Sequence, residues 1–550
     1  MFARLHARRD GHVPRWRRTT AVLTGLVLTA GMGALTVHDA RTAPAGAAGR
    51  PNVLVIVTDD MRADELRWMP NVRKYVQERG LLWHNAFAST PLCCPDRASF
   101  LTGKYTHNHK VWWHDAPYGY GAFNDARTLA TQLQGVGVRT GYVGKYLNRY
   151  GIAKPKTAPT ARPATFVPAG WNQWRGTPDG TGLPASDPRE GGTYRYFDTT
   201  VNVNGKLEGH QGAYNSNVLV SESLEVLDRF TSLSGPWYLQ INSLAPHHGG
   251  PGEVGDPRLK TPARPDWVKG RFNDQIRRAP GVPASGEPEP DVSDKPAGIR
   301  KLPRLDDGDR AAVLKLARQR AEALYALDRR LGSVFSLLAQ RGELSSTRIV
   351  FTSDNGYFLG EHRRLDGKNS PYEPSYKLPL VMAGPGIPVG SRVAPATTVD
   401  VAATIAEWAG TRLPNADGRS LAADIAASRG WTRATLFEAG NGSSATQATW
   451  FGPGRTVLGI RTARYAYFRY AYGAVELYDM ANDPNQLKNV ANSAAYADAR
   501  TSLQRTLAKM KDCVGSGCWI DLPPDLARDA ARTREIAVNA VAERKAYYGS

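Results

Sequence analysis

Two acidic pairs stand in this chain where a hard cation could be held. Asp59-Asp60 follows the apolar run at 52–58, and Asp354-Asn355 follows a second one at 348–352. Three carboxylates and an amide are oxygen donors, suited to Ca2+ or Mg2+ rather than to a thiophilic metal. In open α/β sheets ligands bind at the carboxyl ends of strands, where both pairs would fall. Each pair taken alone also reads as a turn or a helix cap. A third segment carries sulfur: Pro91-Leu92-Cys93-Cys94-Pro95-Asp96-Arg97, then Ala98 to Gly103. Neighbouring Cys93 and Cys94 make poor disulfide partners on steric grounds. No second C-x2-C or Cys/His pair is spaced to complete a zinc framework. The remaining cysteines, Cys513 and Cys518, close a C-x4-C loop that reads as a disulfide of an exported protein.

The elements that must position these residues alternate. The run at 52–58 is β-branched and continuous, as in a strand buried on both faces of a parallel sheet. Further strands are expected at 140–143, 237–241, 348–352 and 380–382. Helices are expected at 128–135, 310–341 and 398–409. The pattern predicts an α/β fold with a mostly parallel central sheet sandwiched by helices. Residues 250–309 break it, being rich in Pro, Gly and charge, and read as a long surface excursion ordered in part around 266–278. After about residue 430 short aromatic strands follow, at 435–438, 457–461, 465–470 and 476–478. They predict a smaller antiparallel sheet, with a helix over 494–511.

The chain has 550 residues, 41% of them hydrophobic and 22% charged, which excludes a disordered chain, a collagen and a multi-span membrane protein. Its net charge of +19 suits an anionic partner: nucleic acid, anionic lipid or a sulfated glycan. No nucleic-acid reading module is recognisable, so no nucleic-acid partner is expected. Arg4, Arg8, Arg9, Arg15, Arg17 and Arg18 precede an uncharged apolar stretch at 21–37, and Ala43, Ala45, Ala47 and Ala48 follow. This is the pattern of a signal peptide over 1–48, and it predicts a secreted, periplasmic or extracellular protein. A membrane contact is expected only through an uncleaved signal.

The Cys93 segment resembles the signature of the sulfatase family, C-x-P-x-R followed by four residues and Thr-Gly. Here these are Cys93, Pro95, Arg97, Thr102 and Gly103. The likeness extends over most of 50–490 and implies an alkaline-phosphatase-like catalytic domain at 50–430, with a smaller C-terminal subdomain at 431–550. It implies that a formylglycine-generating enzyme oxidises Cys93 to formylglycine. It also implies Ca2+, with Mg2+ as the alternative, held by Asp59, Asp60, Cys93, Asp354 and Asn355. Gly144-Lys145-Tyr146 resembles the family's sulfate-contacting Lys element. Ala245-Pro246-His247 resembles its Pro-His element, and Lys368 through Glu373 its Lys…Tyr-Glu stretch. Lys145, His247 and Lys368 are thus both catalytic and substrate-binding candidates. Arg97 is expected to steady the formylglycine loop, and His362 to contact substrate. Many members carry His two residues after the Lys. Here that residue is Leu147, which leaves the base for sulfate release open, with His107 and His109 as candidates.

The chemistry explains the residue types. A sulfate ester is a poor electrophile shielded by negative oxygens, so cations must gather around it. A hydrated aldehyde offers one hydroxyl to attack and another to expel sulfate afterwards. Several stretches look closest to the N-acetylglucosamine-6-sulfatase group, among them Gly144-Lys-Tyr-Leu-Asn and Tyr194 to Gly205. The expected substrate is a sulfated sugar or an aryl sulfate. The rival readings are a phosphonate or phosphate ester hydrolase of the same superfamily, and a sulfated-glycan binder without catalysis.

Overall fold

The computed structural model describes residues 49–440, 451 and 454–549. The expected signal peptide at 1–48 lies outside them. Four parallel strands form the centre of a ten-stranded sheet: β1 (Asn52–Thr58), β2 (Arg139–Lys145), β3 (Trp237–Asn242) and β4 (Thr347–Ser353). Their order across the sheet is β4-β1-β3-β2. Gln173–Thr177 continues it in parallel, and an antiparallel hairpin, Asp198–Val203 with Lys206–Gln211, ends that side. Leu380–Ala383 pairs antiparallel with β4 on the other side.

The run in β1 explains its place. Every residue of β1 is buried. Val53, Val55 and Val57 face one core, while Leu54 and Ile56 face the other. A strand covered on both faces has no polar side to spare, hence the unbroken aliphatic run. Burying each such side chain contributes about 1.5–3 kcal/mol. One face packs α1 (Cys93–Thr102) and the helix Thr398–Trp408; the other packs Asn215–Thr231 and the helix Asp307–Gln340.

A separate four-stranded antiparallel sheet follows: Thr435–Gly440, Arg455–Arg461, Tyr465–Tyr470 and Val475–Asp479. The helix expected over 494–511 is Ala497–Met510, and Cys513 is bonded to Cys518 just after it. A terminal helix, Thr533–Tyr548, was not expected. Its apolar residues are few and scattered among charges, so its sequence carries no clear stripe. The excursion at 250–309 also differs from a plain surface loop. Phe272, Ile276, Ala279 and Val282 are buried in a small core of their own against Val313, Leu316 and Ala317 of the long helix.

Candidate active site

The two acidic pairs meet because β1 and β4 are neighbours in register, with Thr58 opposite Ser353. Asp59-Asp60 and Asp354-Asn355 therefore leave the sheet side by side. Asp60 takes the left-handed conformation (φ 67°), which Asp tolerates better than most residues. Its N–H donates to Asp354 Oδ1 at 3.1 Å. The Asn355 amide donates to Asp60 Oδ1 at 2.6 Å.

Cys93 is the first residue of α1, and Gly103 (φ 66°) ends that helix, a left-handed position where a side chain would also strike Leu413. The signature's Gly thus closes the helix that its Cys opens. Arg97, one turn on, points back into the cluster. Its Nε donates to Asp354 Oδ2 at 2.8 Å, and Nη1 to the Lys145 carbonyl at 2.9 Å. Nη2 lies 3.5 Å from Asp59 Oδ2. Lys145 ends β2 and pairs with Asp59. Gly144 before it (φ 99°) has no room for a Cβ, which would sit 2.0 Å from the Asn242 carbonyl oxygen. Lys368 pairs with Asp60, and its Nζ lies 2.9 Å from Cys93 Sγ. His247 reaches in from the loop after β3, with Nε2 3.7 Å from Asp60 Oδ2.

The charges nearly balance. Asp59, Asp60 and Asp354 stand against Arg97, Lys145 and Lys368, all buried or nearly so. Burial raises the Asp59 carboxyl, but the cations Lys145, Arg97 and Lys368 hold the group well below the usual range. Burial, followed by repulsion from Asp59, pushes Asp354 up to about 6. The Cys93 thiol is pushed up to about 12, mainly by burial, so an unmodified thiol stays protonated at neutral pH. Burial lowers the pKa of His247 well below the usual range. Its Nδ1 sits 2.7 Å from the His248 carbonyl, which fixes the N–H on that side and leaves Nε2 bare.

The donor set fits a hard divalent cation. Asp59 Oδ1 and Asn355 Oδ1 are buried oxygens with no hydrogen-bond partner. Ligand atoms of Asp59, Asp60, Cys93 and His247 lie within 4.8 Å of one another. A divalent ion would turn a balanced cluster into a cationic one, which is what binding a sulfate requires.

Three histidines lie elsewhere. His107 is held by Glu438 at 2.9 Å and by the Cys513 carbonyl at 2.7 Å. His109 bonds to Ser99 Oγ at 2.9 Å. Both are consumed in packing contacts, so neither is the missing base. His362 is also corrected: it is 1% exposed, paired with Glu289 at 2.8 Å and stacked on Tyr372.

The structure brings in two residues that sequence reasoning missed. His114 places Nε2 4.0 Å from Cys93 Sγ. Burial first, then Lys368 and Lys145, pushes its pKa down to about 3, so it is uncharged. The only hint of it was Leu147, where a histidine was wanted. Tyr194 accepts from the Asn148 amide at 2.5 Å, and its ring lies 5.0 Å from Lys145 Nζ.

Comparison with known proteins agrees with this geometry. The sulfatase family model matches residues 51–411, well over half of the chain. The chain belongs to the sulfatase family. A second model, the C-terminal region of N-sulphoglucosamine sulphohydrolase, matches 360–513. The sulfatase chain is 29% identical over 385 residues to the extracellular sulfatase SULF-1 homolog of Drosophila melanogaster, covering 68% of this chain and 31% of that one. The similar protein of Caenorhabditis elegans is covered over 48% of its length. The chain thus spans about a third of one of these relatives and about half of the other. It is 28% identical to human N-acetylglucosamine-6-sulfatase over 512 residues, covering 85% of this chain and 86% of that one. Among solved structures, one described in complex with its substrate D-glucosamine-2-N,6-O-disulfate superposes with a TM-score of 0.60. It is 20% identical, covering 83% of this chain and 97% of that one.

Proposed function

We propose that this protein is an exported sulfuric ester hydrolase acting on a sulfated sugar, with the side chain of Cys93, oxidised to formylglycine, as its nucleophile. One observation carries the reading. Cys93 opens α1 beside Lys368, its sulfur lies in one cluster with ligand atoms of Asp59, Asp60 and His247, and Asp354 and Asn355 are hydrogen-bonded to Asp60. The likeness to N-acetylglucosamine-6-sulfatase supports the sugar. Export is supported by the leader-like residues 1–48 and by the Cys513–Cys518 disulfide. Among the described residues no helix is long and apolar enough to cross a membrane.

The hydrated aldehyde and a divalent cation, Ca2+ by the oxygen-rich donor set, would supply the attacking hydroxyl and neutralise sulfate oxygens. Asp59, Asp60, Asp354 and Asn355 would hold the cation. Lys145 and Lys368 bind the sulfate, and Lys368 stabilises charge on the leaving oxygen. Arg97 locks α1 to Asp354 and to the end of β2. His247 is a catalytic and substrate-binding candidate by resemblance. Its bare Nε2 has no proton to donate and can only accept one, from a substrate hydroxyl. His114, uncharged and facing the Cys93 side chain, takes the proton that must leave before sulfate departs.

Protein from its native host should show the thiol-to-aldehyde mass change in the Cys93 peptide. It should hydrolyse N-acetylglucosamine 6-sulfate and an aryl sulfate faster than an aryl phosphonate. An unmodified Cys93 from that host would overturn the mechanism, and a preference for the phosphonate would overturn the reaction class. Metal removal gives a separate check. EDTA is expected to destabilise the protein, and Ca2+ at a hundredfold its Kd to return about 2.7 kcal/mol. A melting curve indifferent to both would sink the cation site.

A further inference from the structure

The excursion at 250–309 returns to the site at one point. Just after His247 and His248, the N–H of Gly249 donates to the Thr261 carbonyl at 3.1 Å, and that of Ala263 donates to Gly249 at 3.2 Å. Gly249 also forms an isolated parallel bridge with Pro262. Lys260 is thereby pinned beside the histidines, whose rings stack with centroids 4.0 Å apart. Lys260 is exposed. Among the described residues no carboxylate lies within ion-pair distance of it. The next residue, Thr261, is hydrogen-bonded to Gly249, two residues after His247, which sets Lys260 at the edge of the site, and its charge is felt at both His248 and Asp366.

The other charges around the mouth are already matched or turned inward. Arg149 pairs with Asp115, beside His114, at 3.2 Å. Arg364 lies over the Phe358 ring at 5.0 Å and faces Asp366. Burial raises the Asp366 carboxyl, and Arg364 and Lys260 oppose that rise. His248 is uncharged, its pKa pushed down to about 4 by burial. Lys260 is an exposed cation at this rim with no ion-pair partner among the described residues.

We propose that Lys260 is a specificity-determining residue that binds a second anionic group, sulfate or carboxylate, on the sugar bearing the scissile sulfate. This rests on the sulfatase reading above and narrows its substrate to a polyanionic sugar. An exposed lysine keeps its charge at working pH and reaches across several rotamers, which suits a ring substituent held away from the reacting bond. Such a contact is absent in a simple aryl sulfate, so it acts on recognition and not on the chemistry common to all substrates.

The experiment compares D-glucosamine 2-N,6-O-disulfate, N-acetylglucosamine 6-sulfate and 4-nitrophenyl sulfate. Lys260→Ala is expected to lower kcat/KM for the disulfate about fivefold to tenfold, chiefly through KM, and for the other two by less than about twofold. Lys260→Arg should recover most of the loss, and Lys260→Glu should deepen it. Raising ionic strength should shrink the difference between wild type and Lys260→Ala. An equal fall on all three substrates, or no fall on the disulfate, would overturn the assignment. So would a wild-type enzyme that hydrolyses the aryl sulfate and neither sugar, a result that leaves the sulfatase reading standing. Inactivity on all three, with Cys93 oxidised, would bring down both.

Discussion

Cys93→Ala is expected to lower kcat on an aryl sulfate by at least about 10⁴-fold, with the folded state retained. Cys93 is buried, but Ala keeps the helix-compatible backbone and removes a side chain whose hydrogen-bond-range partners are Lys368 and His114. On the proposed mechanism the lost group is the nucleophile itself, so no neighbour shares its work. Lys368 cannot replace it, since it is held as a cation by Asp60 against the cost of burial. Cys94 cannot either, because its sulfur points the other way, 4.0 Å from the Asn148 carbonyl. The measurement is turnover on an aryl sulfate, paired with circular dichroism and a melting curve. A folded Cys93→Ala protein within tenfold of wild type would show that another group attacks. Cys93→Ser separates oxidation from nucleophilicity: a hydroxyl without an aldehyde can attack but has no second hydroxyl to expel sulfate.

The second large effect is expected at His114. With His114→Ala, release of the alcohol in the first turnover should run near the wild-type rate. Steady turnover should then slow by about 10²–10⁴-fold, the range of a lost general base. The progress curve would show a burst of one alcohol per active site followed by a slow line. The geometry gives the reason. His114 faces the Cys93 side chain, with Nε2 4.0 Å from its sulfur. Its charge is suppressed by burial and by two lysines, so it arrives able to take a proton. A burst slowed as much as the steady rate would place His114 in the first half of the reaction. An unchanged steady rate would return the base to the unassigned state in which Leu147 left it.

The metal pairs and the Cys93 segment were legible in the chain because each is local. Asp59-Asp60 and Asp354-Asn355 lie directly after apolar runs, and two neighbouring parallel strands deliver their ends to one place. The buried sheet was legible for the same reason: a strand covered on both faces has to be aliphatic throughout. Lys145 and Lys368 were found through resemblance, since a lysine alone says nothing about burial.

The histidines divide the other way. His107, His109, His114 and His362 carry identical chemistry, and their sequence neighbourhoods do not rank them. Which one meets Cys93 depends on the path of the loop after Thr106–His109, and that path is set by packing between distant segments: His107 is drawn to Glu438 and Cys513, His362 to Glu289. Lys260 likewise gains its position from two backbone hydrogen bonds to Gly249. The sequence by itself determined the catalytic core, because strand periodicity and a compact motif are local properties. Only the tertiary structure decided the base and the rim, because a loop side chain has no periodicity and takes its address from contacts with residues far along the chain.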